Sequence, residues 1–276
     1  MSKGVLIFAY NSNLDYVSIA RLAAQLVKKH LDLPVTLVTD VADVDATEFD
    51  QVIVQTLKDP SFERVFKFGS STEKTPWHNG NRSNAYELSP YDQTLLLDAD
   101  YLMFNSSLKC LFDTNLDFSC YDKVYDISGS TALQKGAHVG NPGVHMQWAT
   151  AIYFTKSPLA EGIFSMMQNI KDNYAYYASL YNFGSELFRN DYTMSIALQL
   201  LTGYSAKSFS AIPGTLITAN TGMEIVEARP NGEILFSWQI ADRPTKVTKI
   251  KNTNIHIMNK RNITDPVVIS QLWSLT

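Results

Sequence analysis

The sequence predicts an α/β fold on a mostly parallel, doubly wound sheet. Three observations carry this: strand-length apolar runs recur through the first hundred residues, a helix-period segment separates the first two, and polar residues stand where the runs stop. Residues 5–9 (Val-Leu-Ile-Phe-Ala) read as the first strand, and Tyr10-Asn11-Ser12-Asn13 as a turn. In the following helix Ile19, Leu22, Ala23, Leu26 and Val27 recur at helical spacing, and Lys28-Lys29-His30 suits the negative end of the helix dipole. Residues 35–39 read as a second strand ending at Asp40, residues 52–54 as a third, and residues 91–97 as another that ends in Asp98-Ala99-Asp100. Ligands of open parallel sheets bind beyond the carboxyl ends of the strands, which singles out Tyr10, Asn11 and Asp40.

The rest of the chain follows the same logic less regularly. Residues 75–81 read as a loop leading into a short helix over 82–88, which places Arg82 on or beside the helix before the Asp98 strand. Residues 134–143, with three glycines and Pro142, read as a surface loop. A strand is expected over 148–154, helices over 159–171 and 191–201, and short strands over 235–239 and 254–258. Val267, Val268, Ile269, Leu272 and Trp273 suit a docked carboxyl-terminal helix, with membrane contact as the other reading.

With 276 residues and 45% hydrophobic content the chain can bury a sizeable core. A net charge of −4 gives no global attraction for nucleic acid or anionic lipid. Lys246, Lys249, Lys251, Lys260 and Arg261 form one local basic cluster, read as a solvated face. Cys110 and Cys120 have neither metal-ligand spacing nor a disulfide pattern, and are expected to be buried apolar residues. The first residues read as a core strand rather than a secretory leader, and no stretch is long enough to span a bilayer, so the expected compartment is cytoplasmic. The acceptor patterns at Asn105-Ser106-Ser107 and Asn262-Ile263-Thr264 are then chance matches for glycosylation.

Asp98 and Asp100 carry the most chemistry. Carboxylates at i and i+2 lie on the same side of an extended chain, so both can serve one hard divalent ion that in turn holds a phosphate. The plainer reading has Asp98 capping a turn and Asp100 solvated in a loop. A third ligand is best sought at His256. In Asn254-Ile255-His256-Ile257-Met258 the isoleucines face one way and the imidazole the other, with Lys260 close behind. Metal, imidazole and ammonium together would clamp a diphosphate; a histidine on the polar face of a half-buried strand is the alternative.

Arg82, the run Leu88-Ser89-Pro90-Tyr91-Asp92-Gln93-Thr94-Leu95-Leu96-Leu97-Asp98-Ala99-Asp100, the first strand and its turn, Asp40, Asn190-Asp191 and His256 form one constellation. It resembles the GT-A-fold, nucleotide-sugar-dependent glycosyltransferases, most nearly the glycogenin and galactosyltransferase-like group called glycosyltransferase family 8. The resemblance implies a GT-A (Rossmann-like) sheet flanked by helices, with a smaller irregular acceptor-side region. It makes 1–276 a single domain, with a nucleotide-binding part over about 1–105 and an acceptor and metal-completing part over about 106–276. It further implies that Asp98, Asp100 and His256 bind Mn2+ (or Mg2+), which holds the diphosphate of a UDP-sugar. Tyr10, Asn11 and Asp40 would face the nucleotide, Arg82 would touch phosphate or sugar, Lys260 phosphate, and Asp191 the transferred sugar. Two departures stand out: Ala149-Thr150-Ala151-Ile152 replaces a family run such as Asn-Ser-Gly-Val, and Asn259-Lys260 replaces a glycine and a later lysine after the histidine.

The expected activity is metal-dependent transfer of a sugar to an acceptor, with Arg82 and Asp191 as catalytic candidates. A carboxylate such as Asp191 can stabilise a positively charged sugar ring, while Asn190-Asp191 can equally cap a helix. A metal-dependent phosphoesterase or nucleotidyltransferase shares the carboxylate pair but wants acids for a second ion, for which Asp92 is the nearest candidate. A non-catalytic nucleotide-sugar-binding module is the third reading. Tyr174, Tyr176, Tyr177, Tyr181 and Phe183, with Arg189 beyond, suit either helix packing or stacking on sugars or bases. The acceptor is accordingly open between saccharides, lipid-linked glycans, protein hydroxyls and a modified base in phage DNA, the last requiring an extruded base or a single strand.

Overall fold

The computed structural model describes all residues except 57–62, 69–70, 77, 131–137, 141–142, 184–187, 204–208 and 240–242. Its centre is a six-stranded sheet in the spatial order Gln51–Val54, Val35–Thr39, Lys3–Phe8, Gln93–Asp98, Trp148–Thr155, Phe118–Tyr121. The first four run parallel, and Trp148–Thr155 is antiparallel to both its neighbours. This is the mostly parallel sheet flanked by helices that the sequence predicts. Its inner strands are largely apolar because they are covered on both faces, whereas the edge strand Gln51–Val54 is exposed at both ends. Val5, Leu6, Ile7, Leu95, Leu96 and Leu97 are fully buried, each contributing about 1.5–3 kcal/mol of transfer free energy.

The first helix, Tyr16–Leu31, packs against the first two strands through Ile19, Leu22, Ala23, Leu26 and Val27. It starts where Asp15 accepts the amide of Ser18 at 3.1 Å and stops at Asp32, which is in the left-handed region. Helix Asn190–Leu201 lies on Trp148–Thr155, with Pro158–Asp172 against it.

The second half is more ordered than the irregular region expected. Tyr101–Leu102, Ile255–Ile257, Leu216–Ala219 and Val124–Asp126 form a second sheet in that order, and Met223–Ala228, Glu233–Trp238 and Lys246–Lys251 an antiparallel one. Where residues 75–81 are expected to be loop, strand Ser71–Pro76 pairs with Glu63–Phe68, and a 3-10 helix spans His78–Asn84. Within the expected loop 134–143, residues 134–137 and 141–142 lie outside the described residues, while His138–Val139 pairs with Val144–His145. Cys120 is buried as expected, but Cys110 is exposed. The 3-10 helix Ser107–Asp113 turns Leu108, Leu111 and Phe112 inward and leaves Cys110 outside, its thiol donating to the Ser107 carbonyl at 3.1 Å. Asn262, in the second glycosylation-like triplet, accepts the amide of Ile225 at 2.6 Å and so is structural.

The aromatic stretch divides. Tyr174 and Tyr181 are buried, Tyr174 against Phe183 and Phe188, while Tyr176 is exposed. Lys246, Lys249 and Lys251 are solvent-facing on an edge strand, Lys249 beside Glu233 at 3.4 Å, whereas Lys260 leaves this group for the site described below. No helix among the described residues is long and apolar enough to cross a membrane.

One residue of the first strand is fixed by steric room. A Cβ on Gly4 would come within 2.3–2.5 Å of the Tyr91 ring, whose hydroxyl is 2.8 Å from Thr36 Oγ1. Gly4→Ala is therefore expected to displace Tyr91 and cost about 1–3 kcal/mol in urea unfolding. An unchanged midpoint would show that the ring moves freely.

Candidate functional site

Asp98 ends the strand Gln93–Asp98 and pairs in register with Phe8, so Ala9, Tyr10 and Asn11 leave the neighbouring strand on the same side. Asp40 follows the next parallel strand, and its Oδ1 accepts the Asn11 amide at 3.1 Å. The carboxyl edge of the parallel sheet thus gathers Tyr10, Asn11, Asp40 and Asp98. The Asn11 side chain is already engaged: its Oδ1 accepts the Val17 amide and its Nδ2 donates to Asp15, both at 3.1 Å. Tyr10 is buried, and its hydroxyl donates to Gln55 Oε1 at 3.4 Å and also meets Asn81. Burial, reinforced by the charge of Asp40, pushes the Tyr10 phenol well above its ordinary value.

Past Asp98 the chain turns through Ala99 and Asp100 into the second sheet, where Tyr101 pairs with His256. Asn254 fixes this junction, its Oδ1 accepting the amides of Phe104 and Asn105 at 2.8 and 2.9 Å. The Ile257 amide donates to the Asp100 carbonyl at 3.0 Å. Ile255 and Ile257 are fully buried and His256 faces the other way, as the alternation predicts. His256 Nε2 then lies 3.3 Å from Asp100 Oδ2 and 4.0 Å from Asp98 Oδ2. The ligand atoms of Asp98, Asp100 and His256 all fall within 4.8 Å of one another. They form the one such group of three or more among the described residues. With its side chain 12% exposed, His256 is largely buried.

Two cations complete the cluster. Arg82, 1% exposed, donates from Nη1 to Asp98 Oδ1, and Lys260 Nζ lies 2.5 Å from Asp100 Oδ2. Burial opposes ionisation of Asp100, but Lys260 and His256 outweigh it and hold the carboxyl well below the usual carboxylate range. Burial dominates at Asp98 and pushes it upward, Arg82 pulling against it and Asp100 adding like-charge repulsion. Arg82 Nε and Nη2 and His256 Nδ1 are buried without a hydrogen bond, whereas Asp100 Oδ2 faces Lys260 and His256. Two carboxylates and an imidazole that converge with polar atoms unsatisfied are a fitting donor set for a divalent ion such as Mn2+ or Mg2+. The uncommitted Arg82 donors suit an anionic oxygen. Asp92 is no part of this: at the other end of its strand it accepts from the Ser2 amide at 2.7 Å, so it cannot serve a second ion here.

Asp191 approaches from the helix Asn190–Leu201, near enough to raise the Asp98 carboxyl by its charge. The helix makes no side-chain cap at this end; Asp191 Oδ1 instead accepts the Ala149 amide at 2.8 Å and Oδ2 accepts Arg189 Nη2 at 2.9 Å. Ser195 ties the same helix down, accepting the Gln147 amide at 2.7 Å and donating to the Asp191 carbonyl at 2.6 Å. Sequence reasoning missed Gln55, Asn81 and the Arg189–Asp191 pair. Only the adjacency of Asn81 to Arg82 and of Arg189 to Asp191 signals them.

No family model and no curated protein matches the chain. Among solved structures, it is similar to apo glycosyltransferase GlyE of Streptococcus pneumoniae TIGR4, at 14% identity and a TM-score of 0.43, over 76% of this chain and 45% of that one. It thus spans about half the length of that relative. It is also similar to galactosyltransferase LgtC in complex with donor and acceptor sugar analogs, at 14% identity and a TM-score of 0.45, over 71% and 70%. A third is mouse xyloside xylosyltransferase 1, at 14% identity and a TM-score of 0.42, over 72% and 82%.

Proposed function

We propose that the chain is a metal-dependent glycosyltransferase that moves a sugar from a nucleoside diphosphate sugar, a UDP-sugar, to an acceptor hydroxyl or base. The observation that carries this reading is the convergence of Asp98, Asp100 and His256, flanked by Arg82 and Lys260, at the carboxyl edge of a parallel sheet. Asp98, Asp100 and His256 would hold a divalent ion, which would supply positive charge against the departing diphosphate. Arg82 uses its free Nε and Nη2 to hold a phosphate or sugar oxygen, and Lys260 adds a second positive charge. Tyr10, Asn11 and Asp40 line the nucleotide side. Asp191, fixed by Ala149 and Arg189, presents a carboxylate to the sugar ring as positive charge develops there. That the described residues hold a single group of metal ligands favours glycosyl transfer over two-ion phosphoryl chemistry.

The test is a donor screen by UDP-sugar hydrolysis with and without Mn2+. Stimulation by the metal is expected, and Asp100→Asn should remove it, because an amide is a poorer ligand for a hard cation. That variant also strands Lys260, at a cost of about 3–5 kcal/mol. His256→Gln, which leaves both ion pairs in place, is the cleaner comparison: Mn2+ affinity should fall by more than the roughly 10–100-fold typical of losing a residue that only supports a ligand, with little change in unfolding midpoint. Full metal response in both variants would remove the assigned ligands.

Asp191→Asn is expected to lower kcat by roughly a hundredfold while UDP affinity, read by calorimetry, stays put. A loss confined to UDP affinity would make Asp191 a binding residue instead.

A further inference from the structure

The acids of the cluster are matched by bases of its own. Asp98 faces Arg82 and Asp100 faces Lys260, one cation to each carboxylate. With both acids ionised and the imidazole uncharged, these charges cancel. Affinity for a hard divalent ion rises with the negative charge of its ligands. As it stands, this site offers a free ion no net negative charge.

The two bases hold their acids differently. Arg82 reaches Asp98 through Nη1 and keeps Nε and Nη2 uncommitted, so it can stay on the carboxylate and take an anion as well. Lys260 Nζ lies 2.5 Å from Asp100 Oδ2, the same oxygen that lies 3.3 Å from His256 Nε2. A divalent ion on that oxygen, at a ligand distance of about 2.0–2.5 Å, would stand within roughly 5 Å of the ammonium. The Lys260 side chain is 14% exposed and that of Asp100 7%, so little water screens the repulsion between two such cations.

The Lys260 backbone is fixed. The residue opens the short helix Lys260–Ile263, and its amide donates to the Met258 carbonyl at 3.1 Å. The preceding Asn259 accepts the Asn262 amide on Oδ1 at 3.2 Å and donates from Nδ2 to the Met223 carbonyl at 2.9 Å. Movement is left to the side chain, a compact charge on a flexible stem that can turn from carboxylate to phosphate and stay paired.

We propose that Lys260 is an internal counter-ion that holds Asp100 against a free divalent ion and yields it when a diphosphate is present to receive the ammonium. The inference rests on the function proposed above and adds to it the regulation of the metal site: metal and donor load together.

The test uses the full chain, with free Mn2+ read by electron paramagnetic resonance and UDP by calorimetry. Lys260→Met and Lys260→Gln both remove the charge, and glutamine keeps a hydrogen-bond donor for Asp100. Without nucleotide, both folded variants should bind Mn2+ about tenfold tighter than the wild type, and with Mn2+ present they should bind UDP more weakly. Lys260→Arg keeps the charge and should restore weak binding of Mn2+ alone. In the wild type UDP should tighten Mn2+ about tenfold or more, and by less in the neutral variants. A lysine that only touches phosphate leaves the affinity for Mn2+ alone unchanged on substitution, and one that only supports the fold lowers it. Either result overturns the proposal, as does a wild type whose Mn2+ affinity ignores UDP, a measurement that needs no variant. Uptake of Mn2+ by no form of the protein, even with UDP, means that the metal reading itself has failed. Uptake promoted by UDP in the wild type, with no gain in the neutral variants, leaves that reading standing and removes this inference alone.

Discussion

Two carboxylates one residue apart, at the end of a strand buried on both faces, repel each other where little water is available to screen them. The molecule meets this with three basic side chains drawn from distant parts of the chain: Arg82 on Asp98, Lys260 on Asp100, and His256 between the two. In a partly buried setting such pairs need good geometry and further hydrogen bonds to recover the desolvation they suffer. Arg82 Nε, Arg82 Nη2 and His256 Nδ1 have no such bond. A cluster that is charged, enclosed and incompletely satisfied is poorly explained by stability and well explained by binding of a cation and an anion.

The architecture serves this cluster. The parallel sheet delivers Asp98 to its carboxyl edge together with Tyr10, Asn11 and Asp40. The two-residue strand Tyr101–Leu102 carries the chain straight from Asp100 into the second sheet, so His256 is placed by backbone pairing rather than by a loose loop. Asn254 locks the junction by satisfying two amides at once. Asp191 is held with equal economy, since the Ala149 amide fixes one oxygen and Arg189 the other.

Much of the sheet is legible in the sequence because its strands are uninterrupted apolar runs: residues 5–9 and 35–39 lie within a residue of the observed strands Lys3–Phe8 and Val35–Thr39, apart from the polar start of the first. Direction is not legible. The run Trp-Ala-Thr-Ala-Ile-Tyr-Phe-Thr reads alike either way, and Trp148–Thr155 lies antiparallel in the sheet. The second sheet was mostly hidden for a different reason, since strands of two to four residues are short for periodicity to register; only Ile255–Ile257, within the expected strand 254–258, was legible. The metal candidates were visible as residue types and alternation, but Lys260 on Asp100 spans most of the sequence and Arg189 on Asp191 looks like ordinary helix-flanking charge. Cys110 misled because apolar composition says nothing of which side of a short 3-10 helix faces out.

Pulsed electron paramagnetic resonance of the protein with Mn2+ and a UDP-sugar tests the central claim most directly, since it reports which nuclei lie beside the metal. The account predicts an imidazole nitrogen coupling from His256 and a phosphorus coupling from the donor in the same complex, the nitrogen coupling vanishing in His256→Gln. A bound Mn2+ showing neither coupling would contradict it.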